Sequence, residues 1–92
     1  MNAGFETALI GGLILFPDYM PQAAALIAPE DFAGHETRDM YEELQGLAAE
    51  GKPIDPLTVT AALVRRGVPE DVAQEDVAAA MTAAPLAHNL PS

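Results

Sequence analysis

The chain has 92 residues and no cysteine, which limits it to one small domain and excludes disulfide scaffolds, thiolate metal sites and cysteine catalysis within it. Fourteen acidic residues face four basic ones, a formal net charge of -10 at pH 7, so docking on a phosphate backbone would work against the long-range field and direct nucleic-acid binding by this chain alone is not expected. Half of the residues are hydrophobic but only three are Phe, two Tyr and none Trp, and much of the rest is alanine, which favours helix and fills little volume, so a thin core is expected.

The opening residues M-N-A-G-F-E place no basic region before an apolar stretch, which argues against a secretory signal. The longest apolar run, Ala8 to Phe16, has nine residues and is too short to cross a bilayer as a helix, so no membrane association and a cytoplasmic location are expected. A first helix is predicted from about Phe5 or Glu6 to Leu15. Phe5, Ala8, Leu9, Gly12, Leu13 and Phe16 recur at helical spacing and are expected to form its buried stripe. Ile10, Ile14 and Leu15 carry apolar surface beyond that stripe, which calls for a central position in the domain or cover by another chain. Ile14 and Leu15 are therefore candidate interface residues. Gly11-Gly12 costs a helix about 1–2 kcal/mol relative to alanine, and reads either as the seat of a close helix crossing or as a kink.

Pro17 breaks the pattern, and Asp18 can cap a second helix over about Tyr19 to Ala28. Met20, Ala23, Ala24 and Ile27 fall on one side of it, with Leu26 beside them. Pro29-Glu30-Asp31-Phe32 reads as a compact stop-and-turn with Phe32 as a buried anchor. Gly34 then releases the chain into a third helix, about His35 to Ala49, with Met40, Tyr41, Leu44, Leu47 and Ala48 on the inner face. Glu36, Asp39, Glu42, Glu43 and Glu50 occupy much of the remainder. Glu36 and Asp39 sit near the favourable end of the helix dipole, and Arg38 is spaced to pair with Glu42. Gly51 is expected to be a left-handed cap.

Lys52-Pro53-Ile54 forms an extended link with Ile54 turned inward. Asp55-Pro56 starts a fourth helix as N-cap and first helical residue, and Gly67 closes it. Its apolar residues are Leu57, Val59, Ala62, Leu63 and Val64. Val68 to Ala73 reads as a separate short turn helix and Asp76 to Ala84 as the last helix, with Val77, Ala80, Met81 and Ala84 inward. Residues 85–92 are expected to be a tail or the start of a further connection. No strand pattern competes. The expected fold is all-α, a small orthogonal bundle of about five to six helices in a single domain over residues 1–92, with its core over about 5–84.

Reactive constellations are missing. No Gly-rich phosphate loop ends in Lys and Ser or Thr, since Gly11-Gly12 runs on into Leu13-Ile14. The neighbouring acids Glu42-Glu43, Glu70-Asp71 and Glu75-Asp76 diverge by about 100 degrees on a helix and cannot face each other as an acid/base couple. His35, Glu36 and Asp39 are metal-binding residue types, but His88 is remote and His35 reads as a helix-start residue. Tyr41 is expected in the core with a wet hydroxyl, and Tyr19 or Tyr41 has the chemistry to anchor an interface. Neither catalytic residues nor a cofactor or metal site is expected, and the pattern points to a docking module.

Several segments stand in a definite order and spacing: Glu6 to Pro17 (E-T-A-L-I-G-G-L-I-L-F-P), Leu26 to Phe32 (L-I-A-P-E-D-F), His35 with Met40-Tyr41, Leu44 and Leu47, Gly51 to Asp55 (G-K-P-I-D), Leu57 to Val59 with Leu63, and Arg66-Gly67. Together they resemble the N-terminal domain of bacterial replicative DNA helicases of the DnaB type. Ala84 to Asn89 is similar less specifically. A departure falls at Gln74 to Met81, where the family usually has a paired-glycine turn and an aromatic-leucine step. The resemblance implies a non-catalytic collar domain that helps assemble and regulate a helicase ring. In it Gly11, Gly12, Leu13, Phe32, Met40, Tyr41, Leu44, Pro53, Ile54 and Asp55 would form the fold. It implies the helicase motor domain, primase or a helicase loader as partners, together with self-association, and makes the acidic outer face of Glu36, Asp39 and Glu43 a candidate contact. The family's long pairing hairpin would lie beyond this chain. A standalone adaptor or decoy from a mobile element, and an unrelated small regulatory bundle, are the competing expectations.

Overall fold

Five α-helices and two 3-10 turns build the domain in a computed structural model that describes residues 1–84. The expected tail over 85–92 and His88 lie outside the described residues, which contain no strand. Helix α1 spans Ala3–Leu15, α2 Met20–Leu26, α3 His35–Ala49, α4 Pro56–Arg66 and α5 Glu70–Ala83. α1 lies against α5, α5 also packs on α4, α4 on α3, and α3 closes back on α1 and α2. Ile10, Leu13, Met40, Leu44, Val59, Leu63 and Val77 meet in the middle.

Asn2 starts α1, because its side-chain oxygen accepts the Phe5 amide at 2.7 Å and satisfies a donor the helix leaves unpaired. The helix is apolar all round, so periodicity alone could not decide which side turns inward. Its buried side is Glu6, Ile10, Gly11, Leu13 and Ile14; of the stripe the spacing suggested, Leu13 is buried, Ala8, Leu9 and Gly12 are half-buried, and Phe5 and Phe16 are exposed. Gly11 is the seat of a close crossing. A Cβ there would overlap the carbonyl oxygen of Ala80 and stand 2.8 Å from the Cβ of Ala84. Gly12, one residue on, would meet nothing within 4 Å.

A 3-10 turn, Pro17–Tyr19, precedes α2, and Asp18 makes no capping bond, so the second helix is shorter than the sequence suggested. α2 stops at Leu26 because Ala28 precedes Pro29 and takes an extended conformation. Met20 is buried and Ala23 and Ile27 pack on the core, while Ala24 and Leu26 face outward. Pro29–Asp31 forms the expected turn, with Asp31 accepting the Ala28 amide at 2.9 Å. Phe32 is fully buried, its ring centroid 4.7 Å from that of Tyr41. The Tyr41 hydroxyl is not wet as expected. It donates to the Ile27 carbonyl at 2.6 Å and ties α3 to the end of α2.

α3 buries Met40, Tyr41, Leu44 and Leu47 as its spacing implied, and adds Thr37, while Ala48 is exposed. It ends in a Schellman motif: the Lys52 amide donates to Leu47, the Gly51 amide to Ala48, and Gly51 takes a φ of +69° that favours glycine. At the head of α4, Asp55 accepts the Thr58 amide at 2.8 Å and Thr58 returns the bond to the Asp55 amide. Val59, Ala62 and Leu63 face inward, whereas Leu57 is exposed and Val64 partly so. The two elements expected after Gly67 are one helix. Ala73, Val77, Ala80 and Ala84 keep a single buried line through Gln74-Glu75-Asp76, so these residues are no break: Gln74 and Glu75 face outward and Asp76 is half-buried.

Candidate functional site: an apolar groove and an acidic face

The Phe5–Phe16 stripe of α1 forms an open groove of about 330 Å³ lined by Phe5, Ala8, Leu9, Gly12, Leu13, Phe16 and Tyr19. Phe5 is 57%, Phe16 47% and Tyr19 59% exposed, far from what isolated folding would prefer for three aromatics on one surface. Among the described residues no charged side chain lines it. The surplus apolar surface expected of the first helix is therefore present, on the opposite side. Of the two candidate interface residues there, Ile14 is 3% exposed and belongs to the core, and Leu15 is half-buried.

The acidic outer face of α3 is largely engaged by the chain itself. Arg66, in the last turn of α4, reaches Asp39 at 3.2 Å and Glu43 at 2.8 Å and also bonds Glu42. His35 lies 3.2 Å from Asp39. The Arg66 guanidinium is held more firmly protonated than usual, first by its bond to Glu42 and then by Glu43 and Asp39, against some burial. Glu42 thus pairs with Arg66 and not with Arg38, whose guanidinium donates to the Phe32 carbonyl at 2.9 Å. Of the candidate contacts Glu36, Asp39 and Glu43, Glu36 is exposed and makes no ion pair among the described residues, while the other two are bound to Arg66.

One polar residue that the spacing did not single out organises the junction between these regions. Glu6 is fully buried. Its carboxylate accepts the amides of Ala33 at 2.8 Å and Gly34 at 2.9 Å and the Thr37 hydroxyl at 2.8 Å. These are the donors at the head of α3, so a residue of α1 caps α3. The amides of Ala33 and Gly34, in that order, hold its pKa below the ordinary carboxylate value, and the Thr37 hydroxyl adds to them against the cost of burial. The clue lay in its register: Glu6, Ile10 and Ile14 are four apart on one face. Beside it opens a cleft of about 270 Å³ that includes Gly34, Glu36, Thr37 and Asp76. Burial, then the charges of Glu36 and Glu75, push the Asp76 carboxyl up. Among the described residues no group of three or more His, Asp and Glu is placed to hold a metal ion, and no single helix is long and apolar enough to cross a membrane.

An all-α domain whose conspicuous surfaces are an uncovered apolar groove and an acidic face gathered around one arginine has the make-up of a protein-interaction domain. The comparisons make that class specific. The chain matches the family described as the DnaB-like helicase N terminal domain over residues 1–92, and it belongs to that family. This is a non-catalytic domain, distinct from the ATPase part of such proteins. Among relatives, it is 36% identical over 59 residues to the replicative DNA helicase DnaB of Nostoc sp. (strain PCC 7120), covering 64% of this chain and 7% of that protein. To the replicative DNA helicase DnaC of Bacillus subtilis (strain 168) it is 30% identical over 71 residues, 77% of this chain and 16% of the relative. To the DnaB of Pasteurella multocida (strain Pm70) the identity is 27% over 67 residues, 73% and 14% of the two chains. The alignments thus span only a small part of each of these relatives. No solved structure matches the chain. Family membership removes the unrelated regulatory bundle from the competing expectations.

Proposed function

We propose that this domain acts in the cytoplasm as a non-catalytic assembly and interaction element of a replicative DNA helicase, contributing to the N-terminal collar of the ring and to contacts with primase or a helicase loader. The family match over the whole chain carries this reading. The uncovered groove on α1 supports it, because an interaction domain needs an apolar surface that its own fold leaves unburied. The test joins this segment to the helicase motor of its source organism and compares it with the motor alone, in the presence of the matched primase. Ring assembly, read by sedimentation, and primase-stimulated unwinding are expected to fall when the segment is deleted. Unchanged values for both would overturn the reading.

A further inference from the structure

We propose that the outward face of α1 is a docking groove for a single amphipathic helix of a partner protein, one that carries Lys or Arg beside its apolar stripe. The inference rests on the interaction-domain reading above and names the chemistry of the partner. The groove follows α1 from Phe5 to Phe16, about 16 Å along the helix axis, the length of about three helical turns on an occupant. Its floor is bare backbone at Gly12, where a Cβ would meet nothing within 4 Å. Phe5 and Leu9 on one side of that gap, and Phe16 and Tyr19 on the other, leave space for an inserted apolar side chain.

Charge selects the flanks of the occupant. Between Met1 and Arg38 the chain carries Glu6, Asp18, Glu30, Asp31 and Glu36 and no Lys or Arg. Glu6 is consumed inside the fold, whereas Asp18 is exposed and falls in sequence between Phe16 and Tyr19, outside the groove lining, beside a separate cavity that it shares with Lys52. With a net charge of -10 on the whole chain, a basic helix is drawn toward this surface and an acidic one repelled. The same arithmetic disfavours a second copy of the chain, which brings a further -10 and no base on these elements to offset it. Area disfavours it too. A strip about 16 Å long and about 10 Å wide falls well short of the roughly 800 Å² per partner that a stable globular interface buries, but it suits one helix.

Binding of two synthetic helical peptides to the full 92-residue chain tests this, by fluorescence anisotropy at low and physiological salt. Both peptides carry one leucine face, flanked by lysine in the first and by glutamate in the second. The lysine peptide is expected to bind at least tenfold more tightly, to weaken with salt, and to lose tenfold or more in affinity when Phe5→Ser and Phe16→Ser are combined. Gly12→Gln, which fills the groove floor without touching the core, gives the same loss and keeps the test decisive if the double variant unfolds. Equal affinity for the two peptides, or undiminished affinity in Gly12→Gln, overturns the proposal. So does a dimer in sedimentation that Gly12→Gln abolishes, which would make a second copy the occupant. Tighter peptide binding by Leu86→Ser with Leu90→Ser would instead make residues 85–92 the occupant and also overturns it. Ring assembly lost on deletion of the domain, with no peptide bound, would sink the groove alone. A bound peptide with ring assembly unaffected would sink the collar role alone.

Discussion

The backbone of Gly11 rests on the backbone of Ala80. A Cβ at Gly11 would overlap the Ala80 carbonyl oxygen and stand 2.7 Å from its carbon, with neither group at the end of a flexible side chain. Gly12 faces open space. Neighbouring glycines are therefore expected to respond with opposite signs. Gly11→Ala costs about 1–3 kcal/mol because α1 and α5 must separate, a loss only partly offset by better helix propensity. Gly12→Ala gains about 0.5–1 kcal/mol from that propensity. Urea unfolding of both variants checks the pair, and equal shifts would contradict the crossing.

Glu6→Gln should destabilise the domain at neutral pH, because an amide cannot accept all three hydrogen bonds that the carboxylate receives from Ala33, Gly34 and Thr37. The sign of the pH dependence follows from a depressed pKa. The contribution of Glu6 is present above its unfolded value of about 4.5 and is lost as pH falls through the lower folded value. Melting curves of wild type and variant are thus expected to lie several degrees apart at pH 7 and to converge in strong acid. A gap that stays constant would show that the ionised carboxylate is not the group that matters.

Asp76 gives the opposite sign. Burial and the neighbouring Glu36 and Glu75 raise its folded pKa above the ordinary value of 3.8, so its charged form opposes folding at neutral pH. Asp76→Asn is expected to stabilise the domain at pH 7 by about 0.5 kcal/mol, the scale of a half-exposed surface change. Protonation of the wild type removes the difference as pH falls through the raised folded value and below 3.8. Thermal melts across that range measure it.

Arg66→Ala leaves Asp39, Glu42 and Glu43 without their shared cation. The pairs are partly exposed, so the loss is expected to be modest, about 1 kcal/mol at low salt. Three unscreened carboxylates on one helix face then repel one another, and added salt should recover much of the stability. Unfolding at two ionic strengths distinguishes this from a packing defect, which salt would not repair.

Where local chemistry acts alone, the sequence was easily read. His35–Ala49 begins after Gly34 and ends before Gly51, and Met40, Tyr41, Leu44 and Leu47 keep the buried line their spacing implies, with Thr37 added and Ala48 left outside. Asp55-Pro56 and Gly67 mark the bounds of α4. Phe32 stood out because a lone aromatic after a proline turn has few places to go except the core. The orientation of α1 was not legible, because apolar residues surround it and both stripes satisfy the helical period. Glu6 was the discriminating residue, yet a carboxylate is ordinarily placed outside, and its partners lie 27 to 31 positions away. The continuity of α5 was hidden by three polar residues in a row that look like a break, whereas Gln74 and Glu75 face solvent and Asp76 borders the cleft beside Glu6. The acidic surface was legible as composition, but its pairing with Arg66 across 23 and 24 positions was not.

Alanine and glycine at the α1–α5 crossing also have a mechanical consequence. Helices held apart by long side chains can slide, because rotamer changes absorb the movement. Backbone against backbone offers no such cushion. The spacing of α1 and α5 at Gly11 is therefore set by main chain on main chain, and no side chain there is free to take up a change in it.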